Sequence, residues 1–129
     1  MIRAAGAVII ENNKILLVRE DKPYGSELFM LPGGKEEPTV DATLEDTVRR
    51  EVREEVGLEI EIEEHIIDII GQRLSNKNEQ ILLAHYKAKR VTEKITPGDE
   101  ILEWDWFPID KLPENCAPKF REGQKEIHR

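Results

Sequence analysis

The chain has 129 residues, of which 39% are hydrophobic and 36% are charged, and its formal net charge is -8. This length predicts one domain with a single core over residues 1–129, and the composition is that of a globular protein with a densely ionised surface. The negative charge argues against a nucleic-acid polymer as partner, and the lone cysteine, Cys116, excludes an internal disulfide and a multi-cysteine zinc site.

The first predicted element is a β-hairpin. Residues 4–10 and 15–18 are two apolar, β-prone runs, and residues 11–14 between them contain an Asn pair typical of a tight turn. The N-terminal run is too short to cross a bilayer and has no basic leader or cleavage region. We therefore expect a buried strand there, a cytoplasmic location and no membrane association.

A loop over residues 21–27 and a short apolar segment over residues 28–31 come next. They run into Pro32-Gly33-Gly34, which is expected to break regular structure.

The helix predicted over residues 44–56 is the clearest element of the chain. Thr43 is a suitable N-cap with Asp46 three residues later, as in a capping box, and Gly57 is a natural C-terminal stop. Every fourth residue is apolar, which predicts one buried stripe made of Leu44, Val48, Val52 and Val56.

After the helix the apolar residues alternate, which predicts a return to β-structure. Further elements are listed in chain order: strands over residues 58–62, 66–70, 80–88 and 104–107, a helical turn over 109–112, and a terminal helix over 119–127. Strands on both sides of one strong helix predict either an α+β fold or an α/β fold with a mixed sheet.

Three glutamates of the predicted helix form the candidate site. Glu51, Glu54 and Glu55 stand at positions i, i+3 and i+4, so their carboxylates converge and repel one another. Mg²⁺, with Mn²⁺ as a substitute, would supply the missing positive charge and is commonly shared between carboxylates and substrate phosphates. Arg50 and Arg53 flank the patch and suit orienting a carboxylate or holding a phosphate.

Each part of this pattern also has a plain structural interpretation. A helix rich in Glu and Arg is usually a solvated face, and Gly33-Gly34 alone is usually a turn, although it also lets the backbone approach a metal or phosphate closely. The combination of glycine turn, capped helix, clustered Glu and glycine stop favours a functional site.

The motif resembles that of a known family. Residues 50–58, REVREEVGL, match every fixed position of the second half of the Nudix box, Arg-Glu-apolar-x-Glu-Glu-x-Gly-apolar, and residues 33–37, GGKEE, resemble its opening. With the hairpin, the LPGG turn and the WDWFPIDKLP segment, the resemblance to MutT-like Nudix hydrolases covers roughly residues 3–113. It implies an α/β/α sandwich around a mixed sheet.

One position departs from the family pattern. Arg50 lies sixteen residues after Gly34 instead of fourteen, so Ala42 stands where the pattern has its first Glu. Two extra residues in the preceding loop explain the shift, with Asp41 or Glu45 as the candidate substitute.

The resemblance implies roles for the matched residues. Glu54 and Glu55 would be the main metal ligands, joined by Glu51 and the Gly34 carbonyl, and Arg50 would orient a box Glu. Catalytic work falls to Glu51, Glu54 and Arg50 in this interpretation, whereas Arg53 and Lys35 are candidates for substrate binding.

Outside the box, Glu100 is the candidate base, since similar sequences place an acid just before a W-x-W-F segment; the alternative is an ordinary turn acid. Trp104, Trp106 and Phe107 are expected to contribute to the core rather than to stack on a base. Four other polar residues are expected to be structural or solvated: His65, His85, His128 and Cys116.

The implied reaction is attack of water on a phosphorus atom of a diphosphate. The expected substrate is a (deoxy)nucleoside triphosphate, as in MutT-like housecleaning; the alternative is ADP-ribose or a nucleotide sugar. A non-catalytic Nudix-fold nucleotide-binding module and a plain interaction domain are the other two hypotheses, and retention of all three helix glutamates argues against both. A homodimer is a further possibility.

Overall fold

The computed structural model describes residues 1–73, 75–118 and 120. Its elements are β1 Ile2–Glu11, β2 Lys14–Glu20, β3 Gly33–Lys35, α1 Leu44–Val56, β4 Ile60–Gln72, β5 Gln80–Arg90 and β6 Ile101–Pro108. The strands form a six-stranded sheet in the order β4-β5-β1-β2-β6, with β3 paired to β1. Because β1 and β5 are parallel and the other pairs are antiparallel, the predicted mixed sheet is confirmed.

The opening hairpin forms as predicted, with longer strands. Asn12 and Asn13 have φ angles of 53° and 62°, the left-handed conformation that a two-residue hairpin turn requires. Only residues 10 and 11 of β1, next to the turn, pair with β2. The earlier residues of β1 pair with β3 and β5.

The prediction that Pro32-Gly33-Gly34 breaks regular structure is wrong for the two glycines, which begin β3. Gly33 lies opposite Gly6 of β1, and a Cβ atom on Gly33 would come 2.1 Å from the carbonyl oxygen of Ala5. The glycine therefore allows an unusually close strand contact rather than a turn.

The strands predicted over residues 58–62 and 66–70 are parts of one strand, β4. Its pairing with β5 shifts between Ile62 and Glu64 and again between His65 and Ile67. Each bulge inserts an extra residue and interrupts the alternation, so one long strand resembles two short ones in the sequence.

Helix α1 has the predicted bounds. The Thr43 side chain accepts a hydrogen bond from the Asp46 backbone N–H, and Gly57 adopts a φ of 69° while its N–H bonds to the Arg53 carbonyl. Val48, Val52 and Val56 are fully buried against the sheet.

Both faces of the sheet are covered. One face packs against α1, and the other carries a second buried cluster: Val8, Ile15, Leu17, Phe29, Leu31, Cys116 and Phe120. The apolar segment over residues 28–31 is therefore part of the core. Met30 forms an isolated β-bridge with Val18, and Phe29 forms one with Cys116. Trp104 and Trp106 pack on the α1 side and Phe107 on the other.

Two predictions near the C-terminus have different outcomes. The helical turn predicted over residues 109–112 is wrong, because these residues form a non-helical turn. The Lys111 N–H is bonded there to the Pro108 carbonyl. The helix predicted over residues 119–127 lies outside the described residues except for Phe120 and stays a prediction. None of the helices in the described part of the chain has the length and apolarity needed to cross a membrane.

Candidate active site

A cavity of about 270 Å³ opens beside the C-terminal half of α1. It lies between that helix, the end of β2 and the loop before β6. Its lining residues are Glu20, Glu51, Glu54, Glu55, Gly98, Asp99, Glu100 and Ile101. The structure thus brings together the predicted helix glutamates and Glu100.

Glu55 is the most deeply buried carboxylate of this cavity, with 7% of its surface exposed. Its Oε1 accepts a hydrogen bond of 2.8 Å from the Gly33 backbone N–H. Burial, reinforced by the neighbouring charge of Glu20, raises the pKa of Glu55 to about 9. A cation that approaches this buried carboxylate would favour its ionised form.

Glu51 packs directly on the backbone of Gly34. A Cβ atom at Gly34 would lie 2.5 Å from Cδ of Glu51 and under 3 Å from both carboxylate oxygens. Burial raises the pKa of Glu51, and the hydrogen bond from Arg50 opposes that rise. The second glycine of the pair is therefore needed for the position of this carboxylate.

Arg50 joins the helix to the loop before it. Its Nε and Nη2 donate to Asp41 at 3.0 and 2.9 Å, and its Nη1 donates to Glu51 at 2.9 Å. The pKa of Asp41 is held well below its usual range, first by the hydrogen bonds from Arg50. Of the two candidate substitutes for the missing Glu, Asp41 contacts Arg50, while Glu45 is exposed.

The loop before β6 is attached to the end of the helix. The Thr96 N–H donates to the Val56 carbonyl at 2.8 Å, and the Gly98 N–H donates to the Glu55 carbonyl at 2.9 Å, so two carbonyls of the last helical turn are satisfied. The Glu100 carbonyl accepts from the Asp21 N–H at 2.7 Å. These bonds hold Glu100 in the cavity wall.

Glu20 and Asp99 line the cavity but were not predicted. Glu20 continues the alternation of Leu16 and Val18, both buried on the α1 face, and this period of two is the signal that was available. Burial raises the pKa of Glu20, and the Lys22 charge opposes that rise.

The two residues predicted to bind substrate are not in the cavity lining. Arg53 is paired with Glu59 at 2.6 Å on the exposed side of the helix. Lys35 ends β3, where its carbonyl accepts a hydrogen bond of 3.2 Å from Arg50. Their roles stay predictions.

His65, His85 and Cys116 lie outside the cavity lining. His65 pairs with Asp68, and His85 is fully buried in β5. Cys116 is buried in the second core cluster, and His128 lies outside the described residues.

The carboxylates fit a magnesium ion that is shared with substrate. No three His, Cys, Asp or Glu side chains in the described residues are arranged to enclose an ion on their own. Mg²⁺ usually keeps several waters and binds through one or two carboxylates together with substrate phosphates, so it does not need a closed protein cage. A cavity whose side chains are mainly acidic, containing a buried carboxylate with a raised pKa, suits that mode.

A family model described as NUDIX domain matches residues 1–129. The chain belongs to the NUDIX domain family. It is a hydrolase of the class that acts on phosphorus-containing anhydrides.

Solved structures show the same fold. The MutT protein from Methanosarcina mazei Go1 is 25% identical, with a TM-score of 0.86 over 99% of this chain and 93% of that one. The MutT NUDIX hydrolase from Burkholderia pseudomallei is 24% identical, with a TM-score of 0.79 over 97% of this chain and 96% of that one. An ADP-ribose pyrophosphatase from Streptococcus suis 89-1591 is 26% identical, with a TM-score of 0.70 over 99% and 92% of the two chains. Among curated proteins, none matches this chain significantly in sequence.

Proposed function

We propose that this protein is a Mg²⁺-dependent pyrophosphohydrolase of (deoxy)nucleoside triphosphates. The observation that carries the proposal is the convergence of the α1 glutamates with Glu20 and Glu100 around one cavity, next to the Gly33-Gly34 strand. These carboxylates come from separate parts of the chain, which a merely solvated acidic helix would not require.

Glu51, Glu54 and Glu55 are the candidate ligands, of which one or two would bind the metal directly together with substrate phosphates, and the Gly34 carbonyl is a further candidate ligand. When bound, Mg²⁺ would polarise the phosphoanhydride and make a coordinated water a better nucleophile. Arg50 keeps Glu51 in position, because its Nη1 donates to that carboxylate while Asp41 holds the rest of the guanidinium. Glu54 is the most exposed of the three ligand candidates, with 58% of its side chain accessible.

Glu100 is the proposed general base. It lines the same cavity from the opposite wall, and the hydrogen bonds of its loop to α1 and to Asp21 fix its backbone. An acid placed there can accept the proton of a water that attacks a phosphorus atom bound over the helix carboxylates.

The choice of a nucleoside triphosphate follows the resemblance of the box to MutT-like enzymes, and it is supported by the 25% identical MutT protein, whose TM-score of 0.86 exceeds the 0.70 of the 26% identical ADP-ribose pyrophosphatase. ADP-ribose and nucleotide sugars are the alternative substrates. In this proposal, residues 1–129 form one catalytic domain that acts in the cytoplasm as a monomer or a homodimer.

A substrate panel tests the proposal. The common ribo- and deoxyribonucleoside triphosphates, ADP-ribose and a UDP-sugar are incubated with Mg²⁺, Mn²⁺ or EDTA, and pyrophosphate or phosphate release is measured. We expect triphosphates to be cleaved most efficiently, only with metal, and Glu54→Gln to lower kcat by about 100-fold, since metal assistance contributes several kcal/mol.

The control is Glu63→Gln, which removes an exposed carboxylate of β4 that is not among the cavity-lining residues. Full turnover by the Glu54 variant would contradict its assigned role. Preferential cleavage of ADP-ribose would overturn the proposed substrate but leave the proposed active site intact. Absence of any metal-dependent cleavage would refute the proposed function.

A further inference from the structure

A half-buried lysine, Lys22, lies beside the carboxylate cavity without being one of its lining residues. Lys22 follows Asp21, whose N–H is bonded to the carbonyl of the cavity residue Glu100. The Lys22 Nζ donates to Sδ of Met30 at 3.3 Å. Because Met30 packs against the core cluster on the α1 side, this contact places the ammonium on the face of the sheet that carries Glu20 and is covered by α1 with Glu55.

The ammonium of Lys22 has a poor partner. Its hydrogen bond among the described residues goes to a thioether, which is a weak acceptor, although an ammonium carries three donors. Burial lowers the pKa of Lys22, and the charges of Glu20 and Glu55 oppose that fall. The side chain is thus a partly desolvated cation held near carboxylates but without an oxygen acceptor at hydrogen-bonding distance in the described part of the chain.

The two arginines of α1 that flank the glutamate patch are already engaged. Arg50 is bonded to Asp41 and Glu51, and Arg53 is paired with Glu59. A triphosphate carries several negative charges, and the side chains of the cavity are acidic. A metal ion bound at the carboxylates does not offset all of this negative charge. A cation with unused donors beside the cavity is therefore the natural partner of phosphate oxygens that do not bind the metal.

We propose that Lys22 binds the phosphate chain of the substrate, and that its contact with Met30 is the resting position that it leaves when phosphate arrives. The inference rests on the proposed function, because it names the residue that recognises the anionic part of that substrate. Lys22 is a substrate-positioning residue and takes no part in proton transfer.

Direct binding of inorganic pyrophosphate in the presence of Mg²⁺, measured by titration calorimetry, tests this role without requiring turnover. Lys22→Met keeps the length and apolar stem of the side chain and removes the charge. We expect it to weaken pyrophosphate binding by about tenfold, the size of one charge-assisted hydrogen bond. Lys22→Arg should restore most of the affinity, and Lys14→Met, an exposed lysine at the other end of β2, should leave it unchanged.

Mn²⁺ binding without pyrophosphate is the second readout. In Lys22→Met it should be unchanged or tighter, because a cation near Glu20 and Glu55 has been removed. A loss of Mn²⁺ affinity that matches the loss of pyrophosphate affinity would overturn the proposal, since Lys22 would then only support the carboxylates. Unchanged pyrophosphate affinity in Lys22→Met would also overturn it.

The two proposals can fail separately. If the wild-type protein hydrolyses no nucleotide but binds pyrophosphate through Lys22, the phosphate role stands and the proposed activity fails. If nucleotides are hydrolysed while Lys22→Met binds pyrophosphate and Mn²⁺ normally, the activity stands and the role of Lys22 fails.

Discussion

Arg50 and Asp41 face each other through two parallel hydrogen bonds, from Nε to Oδ1 at 3.0 Å and from Nη2 to Oδ2 at 2.9 Å. Asp41 also accepts from the Glu37 N–H and the Thr47 hydroxyl, both at 2.9 Å. Its side chain is 2% exposed and that of Arg50 is 18% exposed. Because Arg50 also donates to Glu51, Asp41 acts on the candidate metal site through the guanidinium and is a positioning residue.

The first prediction compares Asp41 and Glu45, the two candidate substitutes for the missing box Glu. Asp41→Asn should lower the free energy of unfolding by roughly 2 kcal/mol, because it removes the charge from a paired set of hydrogen bonds while Arg50 keeps its bond to Glu51. It should also lower kcat, since Arg50 no longer holds Glu51 in place. Glu45→Gln, at an exposed position, should change stability by less than about 0.5 kcal/mol. Denaturant titration and turnover with Mn²⁺ measure both effects, and a larger effect at Glu45 would contradict the assignment.

The second prediction concerns acid stability. The Arg50 guanidinium holds the pKa of Asp41 well below the usual range, so the unfolded chain takes up a proton at a higher pH than the folded one. The stability that this group contributes is complete above its unfolded pKa of about 4 and is lost as the pH falls toward the folded value. The difference in unfolding free energy between the wild type and Asp41→Asn should therefore be largest near neutral pH and shrink below about pH 4. A difference that stays constant down to pH 2 would refute this origin.

The sequence predicted helix α1 to its end residues because the signals are local. Thr43, Asp46 and Gly57 make contacts within a few residues of themselves, and the valine stripe needs only a periodicity. The same holds for the hairpin at Asn12 and Asn13. Elements whose form depends on a distant partner were predicted less well.

Three errors or omissions share that cause. Gly33 and Gly34 form a strand only because β1 accepts them, and the bulges of β4 are defined by its register with β5. Glu20 lies near Glu55 because α1 packs on the sheet that contains β2. Spacing along the chain therefore does not predict that contact, and it does not predict that Lys22 lies beside the two glutamates. The carboxylates of the box could be predicted because they lie on one helix. The rest of the cavity lining comes from separate parts of the chain that only the tertiary structure brings together.

The third prediction tests the glycine beneath Glu51. Gly34→Ala would place a methyl group 2.5 Å from the carboxylate carbon, so Glu51 must move. We expect weaker Mn²⁺ binding and a fall in kcat of about 100-fold, since a shift of about 1 Å in a catalytic group has effects of that size. Gly71→Ala in β4 is the control and should retain activity. Mn²⁺ affinity measured by titration should fall in the Gly34 variant alone, and normal affinity there would show that Glu51 does not depend on this contact.

The fourth prediction concerns the proposed base. Glu100→Gln keeps the shape of the side chain and the backbone bonds of Glu100 to Asp21 but removes the proton acceptor. We expect kcat to fall by about 100-fold or more with little change in KM. Glu93→Gln, an exposed acid earlier in the same loop, should leave both quantities unchanged. If Glu100→Gln instead raised KM or lowered Mn²⁺ affinity, Glu100 would be a metal or substrate ligand. The proton would then have to be accepted by another group of the cavity, of which Glu20 and Asp99 are the candidates.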